Sequence, residues 1–176
     1  EKKEITFFEI QYDDISIVNI FKESEDGKIY CSGRGESFYI LQFDPAQNTF
    51  IKIEIENVID YSGVVIVYDA DIINNKLYLA ANSGLFYFYQ NRLNRIKLPE
   101  PYDKMPVKSV SLIDENRIWI GTDIGLVHIN KNAFAFFNKL SGLSNSTIAP
   151  KGLYSDKNGN LWIGTASGVS FFKGEY

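Results

Sequence analysis

A short segment recurs through this chain and limits what the chain can fold into. It reads LWIGTASG at 161–168, IWIGTDIG at 118–125 and LYLAANSG at 77–84, and a weaker copy, IYCSGRGE, begins at Ile29. The aromatic positions of the four copies are Tyr30, Tyr78, Trp119 and Trp162, spaced 48, 41 and 43 residues apart. A repeat of about 40–50 residues built from short strands is typical of a four-stranded propeller blade.

The composition agrees with an all-β fold. Ile, Val, Phe, Tyr and Trp account for 57 of the 176 residues and Ala for only 8, and branched and aromatic side chains favour pleated sheets. The net charge of −4 argues against a nucleic-acid partner, which would require a basic surface. No apolar run approaches the ~20 residues that span a bilayer, so we expect no membrane contact by this segment.

Turn residues divide the chain into four units within a single domain, 1–176. We expect blades at about 15–55, 63–98, 106–140 and 150–173, the last of them without its outer strand. Residues 5–10, ITFFEI, have the pattern of an outer strand and are expected to complete the last blade and so cover an exposed edge. Two architectures remain open: a small closed ring, or an arc cut from a larger propeller.

Each residue type that recurs in the repeat has a structural interpretation. Gly125 and Gly168 are expected in tight turns with positive φ, and Gly121 and Gly164 where a neighbouring group approaches closely. The aromatic anchors are expected in the core between neighbouring sheets. The full set of structural repeat residues is Tyr30, Tyr78, Trp119, Gly121, Gly125, Asp156, Gly159, Trp162, Gly164 and Gly168.

The same residues carry a family resemblance. The segment 142–172, GLSNSTIAPKGLYSDKNGNLWIGTASGVSFF, resembles the two-component-regulator propeller repeat. That repeat has a Gly-Leu-x-x-Asn opening, an Asp-x-x-Gly-x-Leu-Trp-Ile-Gly-Thr core and a Gly-Leu-x-x-Phe end. The resemblance is strong in the last third of the chain and weak at its start, where the first unit is the most diverged.

The resemblance implies a sensor. Such repeats form the extracytoplasmic part of hybrid histidine kinases of Bacteroides-type bacteria, which typically sense glycan fragments. By this resemblance the segment is a periplasmic, non-catalytic input domain whose parent protein is a histidine kinase. It is expected to use no cofactor and to bind an oligosaccharide, and its protein partners are expected to be a second copy or neighbouring propeller blades.

Ligand-binding residues are expected on the loops that share one end of the blades, because polar groups beside aromatic faces suit small-molecule sites. These residues are Arg34, Glu36, Tyr61, Asn82, Ser83, Tyr102, Asp123, Asn145 and Ser167.

Two alternative functions remain. One is a scaffold for self-association or protein–protein contact, and the other is a carbohydrate-active enzyme centred on Asp69 and Asp71, which lie two apart on one strand and so share a face. The single histidine, His128, and the single cysteine, Cys31, are interpreted as packed strand residues. One cysteine and one histidine also exclude a disulfide within the chain and the usual zinc sites, so no metal is expected.

Overall fold

A computed structural model of the chain describes residues 5–57, 63–131 and 133–173. Short strands make up most of it, because β-branched and aromatic side chains alternate with polar ones between turn residues. The strands are β1 (Ile15–Glu23), β2 (Ile29–Gly35), β3 (Leu41–Asp44), β4 (Thr49–Lys52), β5 (Val65–Ile73), β6 (Lys76–Ala81), β7 (Gly84–Tyr89), β8 (Arg92–Ile96), β9 (Ser109–Asp114), β10 (Arg117–Gly121), β11 (Leu126–Asn130), β12 (Ala133–Phe137), β13 (Ile148–Ser155), β14 (Leu161–Thr165) and β15 (Gly168–Phe172). Two short 3₁₀-helices, Tyr102–Lys104 and Lys139–Ser141, lie in the connections after β8 and β12.

The strands form successive antiparallel meanders, so the predicted all-β propeller fold is confirmed. Strands β1–β4, β5–β8 and β9–β12 each make a four-stranded blade, and β13–β15 make a three-stranded one. The sheets of the first two blades are continuous at one place, where Arg34 and Gly35 of β2 pair with Ile66 and Val65 of β5.

The first strand of each blade is the innermost. Strands β1, β5, β9 and β13 surround one cavity on the common axis. The first and last of them approach each other there, since the Lys151 ammonium donates to the Asn19 carbonyl at 3.2 Å. The four blades therefore form an almost complete turn about the axis.

Each pair of neighbouring blades encloses its own apolar cluster. Ile20 and Ile40 pack against Leu79 and Phe86 between the first and second blades. Tyr78 and Leu85 meet Ile120 and Val127 between the second and third, and Trp119 meets Leu161 and Ile163 between the third and fourth. Because side chains alternate between the two faces of a strand, one blade supplies residues to two clusters.

The segment 5–10 differs from its prediction. It forms no strand and does not complete the last blade. Phe8 instead packs edge-on against Phe43 and Phe50, at ring-centroid distances of 5.6 and 5.9 Å, and Ile10 and Tyr12 cover the outer face of the first blade. The N-terminal segment thus takes the place that a preceding blade occupies elsewhere.

Connection length explains this difference. The connections from an outer strand to the next inner strand, 53–64, 97–108 and 138–147, have 12, 12 and 10 residues. Only four residues, 11–14, separate the segment 5–10 from β1, and they reach at most about 16 Å. An outer strand lies about 14 Å across the sheet from its inner strand, and the next sheet is about 10 Å further, so four residues are too few.

The last blade leaves an apolar face exposed, which corrects the prediction that both tryptophans are core. Trp119 is completely buried, whereas Trp162 is 44% exposed. Tyr154 and Phe171, which flank Trp162 across the sheet, are also exposed. Tyr30, Tyr78 and Trp119 each face the next blade along the chain, and Trp162 has no such blade among the described residues.

Candidate functional site

At one end of the molecule the turns after each second strand meet the connections that enter the next blade, and we call this end the rim. Main-chain hydrogen bonds join neighbouring blades here. The Val107 amide donates to the Ala81 carbonyl at 3.0 Å, and the Ile148 amide donates to the Thr122 carbonyl at 2.9 Å. The donor and the acceptor of the second bond each lie 41 residues further along the chain than those of the first. The two junctions are therefore equivalent.

Four of the predicted ligand residues lie where the first two blades meet the rim. Arg34 and Glu36 are exposed. The Asn82 amide is a structural brace, since its Oδ1 accepts from the Ile66 amide at 3.0 Å and its Nδ2 donates to the Val64 carbonyl at 2.8 Å. The Ser83 hydroxyl is buried, with no hydrogen-bond partner among the described residues. Of these four, Arg34 and Glu36 are accessible to a ligand.

The remaining predicted rim residues that the structure describes already contact other side chains of the protein. Tyr102 is 9% exposed and stacks on Phe136, with centroids 4.9 Å apart. Asp123 binds the Lys108 ammonium at 2.5 Å, and Asn145 donates to the Ser167 hydroxyl at 2.6 Å. Tyr61 lies outside the described residues.

The repeat residues have clear roles in the turns. The Thr122 hydroxyl donates to the Gly125 carbonyl at 2.8 Å, and Thr165 does the same to Gly168 at 3.0 Å. Gly125 and Gly168 have φ of 153° and 141°, a conformation that glycine adopts without strain. The two threonines escaped the sequence prediction, although their recurrence after Ile-Gly is the signal that identifies them.

Asp156 organises the turn between the first two strands of the last blade. Its Oδ1 accepts from the amides of Asn158 and Asn160, both at 2.9 Å, and its Oδ2 accepts from the Trp162 indole at 3.2 Å. These hydrogen bonds, led by that of the Asn160 side chain, hold the pKa of Asp156 below its ordinary value.

The cavity on the axis, which we call the axial cavity, has a volume of about 510 Å³. Its polar lining comes from all four inner strands. The lining residues are Ile20, Phe21, Lys22, Asp69, Asp71, Val110, Ser111, Leu112, Lys151, Leu153, Tyr154 and Ser155.

Asp69 and Asp71 join the second blade to the third. The Asp69 carboxylate accepts from the Val110 amide at 3.1 Å, and Asp71 accepts from the Leu112 amide at 2.8 Å. Burial raises the pKa of Asp69 to about 6, although the hydrogen bonds from the Val110 and Ala70 amides oppose the shift. Both carboxylates therefore already hold main-chain groups, which argues against the glycosidase interpretation.

The register of the first hairpin in each blade explains which residues reach this cavity. Lys22 pairs with Tyr30, Asp71 with Tyr78, Ser111 with Trp119 and Tyr154 with Trp162. The residue opposite each aromatic anchor therefore lines the cavity. Sequence reasoning identified the two aspartates but missed Lys22, Ser111, Lys151 and Ser155.

The single histidine and the single cysteine are packed strand residues, as predicted. His128 is 7% exposed and stacks on Trp119, with centroids 4.1 Å apart. Burial lowers the pKa of His128 below its ordinary value. Cys31 is 2% exposed, and burial raises the pKa of its thiol to about 12, which keeps it protonated at neutral pH.

A second cavity of about 470 Å³ lies between the first two blades, lined in part by Phe38, Ile53 and Leu93. Its exposed wall is mostly apolar, and two of its polar residues are already engaged. The Asn57 side chain bonds both the amide and the carbonyl of Leu93, at 2.8 and 2.5 Å, and Lys52 pairs with Asp14 at 2.5 Å. The exposed wall of the axial cavity is mostly polar, which makes it the more suitable site for a polar ligand.

Two searches of the described residues gave negative results. Within residues 5–57, 63–131 and 133–173, no three His, Cys, Asp or Glu side chains converge as a metal site would require. No helix in this part of the chain has the length and hydropathy to span a bilayer.

The segment that carries the Asp156 turn, Trp162 and Thr165 matches a known family of repeats. Residues 142–167 match the family model described as "Two component regulator propeller". The chain contains a two component regulator propeller repeat. This confirms the resemblance inferred from the sequence. A search of curated proteins found no significant match.

Solved structures share the fold. An extracellular domain from B. thetaiotaomicron, described as that of the hybrid two component system BT4673, aligns with a TM-score of 0.69 at 18% identity, over 88% of this chain and 21% of its own. The corresponding domain of BT3049 aligns with a TM-score of 0.63 at 14% identity, over 90% of this chain and 22% of its own. The computationally designed Ika4 protein gives 0.60 at 10% identity, over 98% and 99%. This chain thus spans about a fifth of the length of the two extracellular domains.

Proposed function

We propose that this chain is a non-catalytic input module of a bacterial two component regulator, that it lies in the periplasm and that it senses glycan fragments. The observation that carries the proposal is the regulator repeat at 142–167 within a fold shared with extracellular domains of proteins described as hybrid two component systems. Proteins of that class couple an external signal to a response, so binding without turnover is the activity that the module needs.

The interlocked blades support this assignment mechanically. Neighbouring blades meet through a few main-chain hydrogen bonds at the rim and through side-chain contacts around the axial cavity. Suppose that the blades can sit in two arrangements. A ligand that contacts several blades shifts the balance between these arrangements only if it binds one of them more tightly than the other. Both the rim and the axial cavity bring several blades together.

The test exposes the purified chain to separate pools of neutral oligosaccharides, acidic oligosaccharides, amino acids and nucleotides, and records the midpoint of thermal unfolding. A sensor of glycan fragments is stabilised by at least one oligosaccharide pool, and that pool is recovered chemically unchanged. If no oligosaccharide pool stabilises the chain, the proposal is wrong. If the sugar is cleaved, the module is an enzyme.

The exposed face of the last blade favours one second candidate, a scaffold that associates with a second copy of itself. Trp162, Phe171 and Tyr154 are 44%, 50% and 65% exposed, and the equivalent anchor faces are each covered by another blade. Sedimentation velocity tests it: a scaffold forms dimers that the Trp162→Glu variant loses. A wild-type monomer at high micromolar concentration refutes it.

A further inference from the structure

The axial cavity has the size and the lining of a small-molecule site. Its volume of about 510 Å³ falls within the range of about 300–1,000 Å³ that is usual for such sites. All four inner strands contribute to its wall, through Lys22, Asp71, Ser111 and Ser155 among others. A ligand that fills the cavity contacts all four blades.

The charges around the axial cavity cancel. Two ammonium groups face two carboxylates, and the Lys22 nitrogen lies 3.7 Å from Asp71 Oδ1. The other two charged groups, Lys151 and Asp69, are each held by main-chain groups. Lys151 donates to the Asn19 carbonyl at 3.2 Å, and Asp69 accepts from two amides. With no net charge from these four groups, the cavity has no preference for an ion of either sign.

The wall of the cavity carries both hydrogen-bond donors and acceptors. The Ser111 and Ser155 hydroxyls lie 2.8 Å apart, and each can donate and accept. An ionised carboxylate has about four lone-pair sites, so Asp71 keeps acceptor capacity after binding the amides of Leu112 and Ile72. Neighbouring hydroxyl groups of a sugar, each both a donor and an acceptor, suit such a mixed wall.

Aromatic faces flank the polar wall. Tyr154 and Phe21 line the cavity from the last and first inner strands, and they are 65% and 56% exposed. A flat ring that is exposed on one side offers a surface for the C–H face of a pyranose, while the polar groups fix its hydroxyls. Polar and aromatic groups thus meet in one place.

We propose that the axial cavity binds a neutral mono- or disaccharide, with the sugar ring against Tyr154 and its hydroxyls bonded by Lys22, Asp71 and Ser155. The inference rests on the proposed function and names the site for it. The bound sugar bridges β1 and β13, the first and last inner strands. Binding therefore favours the arrangement in which the two end blades are held together.

The test is amide chemical-shift mapping on ¹⁵N-labelled protein, titrated separately with glucose, galactose, mannose, xylose, cellobiose and lactose at millimolar concentration. At least one sugar is expected to shift the amides of Ser111, Lys151 and Ser155 in a saturable manner, with little change at Arg34 and Glu36. The Ser155→Leu variant fills part of the cavity and should weaken binding at least about tenfold, a loss of about 1.4 kcal/mol.

Two further variants keep the test decisive. Lys22→Met retains the length of the side chain but removes the ammonium that bonds the sugar. It should therefore also weaken binding, and it replaces Ser155→Leu if that variant does not fold. Lys157→Ala changes an exposed turn residue away from the cavity and should bind like the wild type.

The outcomes separate the two proposals. Shifts at Arg34 and Glu36 without shifts at the cavity overturn the axial site and leave the sensor function standing. Wild-type affinity in Ser155→Leu and Lys22→Met also overturns the axial site. If none of the sugars shifts any amide and no oligosaccharide pool stabilises the chain, both proposals fail.

Discussion

The two tryptophans of the repeat are equivalent in sequence and different in environment, which makes them a matched pair for a stability experiment. Trp119 is completely buried, stacks on His128 at 4.1 Å and lies 5.7 Å from the ring of Phe137. Replacing such a residue with alanine costs about 3–5 kcal/mol. Trp162 is 44% exposed, so Trp162→Ala should cost roughly half as much, about 1.5–2.5 kcal/mol.

Urea unfolding followed by circular dichroism gives both free energies of unfolding. The slope with denaturant should stay near the wild-type value, because a change of slope indicates an altered native or denatured state. If Trp119→Ala does not fold, Trp119→Phe replaces it and should still cost more than Trp162→Phe. Equal losses at the two positions would refute the reasoning, since they would mean that another surface covers Trp162 in solution.

Three further predictions use other pairs and groups. Gly121→Ala should destabilise the fold by about 1–3 kcal/mol, because the new methyl group meets Ser109 and Ile148, whereas Gly164→Ala should be nearly neutral, because its methyl group has 3.5 Å to the nearest atom; equal unfolding midpoints would contradict this. The pKa of Asp69 is about 6 in the folded protein and near 3.9 in the unfolded one. Protonated Asp69 should therefore stabilise the fold by up to about 3 kcal/mol below pH 4, and this stabilisation should be lost as pH rises through 6. Urea midpoints from pH 4 to 7 that run parallel for wild type and Asp69→Asn would count against it. The Cys31 thiol, with its pKa of about 12, should react with a thiol reagent only on unfolding, and rapid labelling of the native protein would show that it is accessible.

The sequence predicts the propeller fold because the repeat records which positions are equivalent. Equivalence does not reveal environment. Trp119 and Trp162 occupy the same place in their blades, but burial depends on whether another blade follows. Likewise the alternation in 5–10 indicates a strand, while the four-residue connection that follows prevents the segment from serving as an outer strand.

The binding residues were harder to predict for a different physical reason. Polar side chains in loops suit ligands, but they also satisfy the turns that hold them. Asn82, Asp123 and Asn145 are used in this second way, by a main-chain brace, an ion pair and a side-chain bond. The axial cavity was predictable only in part, because residues opposite the anchors differ in type from blade to blade, as Lys22 and Ser111 show.

The repeated rim junction has a consequence for how such a molecule can change in evolution. The bonds from Val107 to Ala81 and from Ile148 to Thr122 each connect one blade only to the blade before it. A duplicated gene segment of 41 codons therefore carries a donor for the old junction and an acceptor for a new one. The array can therefore lengthen or shorten by whole blades in evolution. Contacts that join its two ends, such as that of Lys151 with Asn19, must form anew after each change.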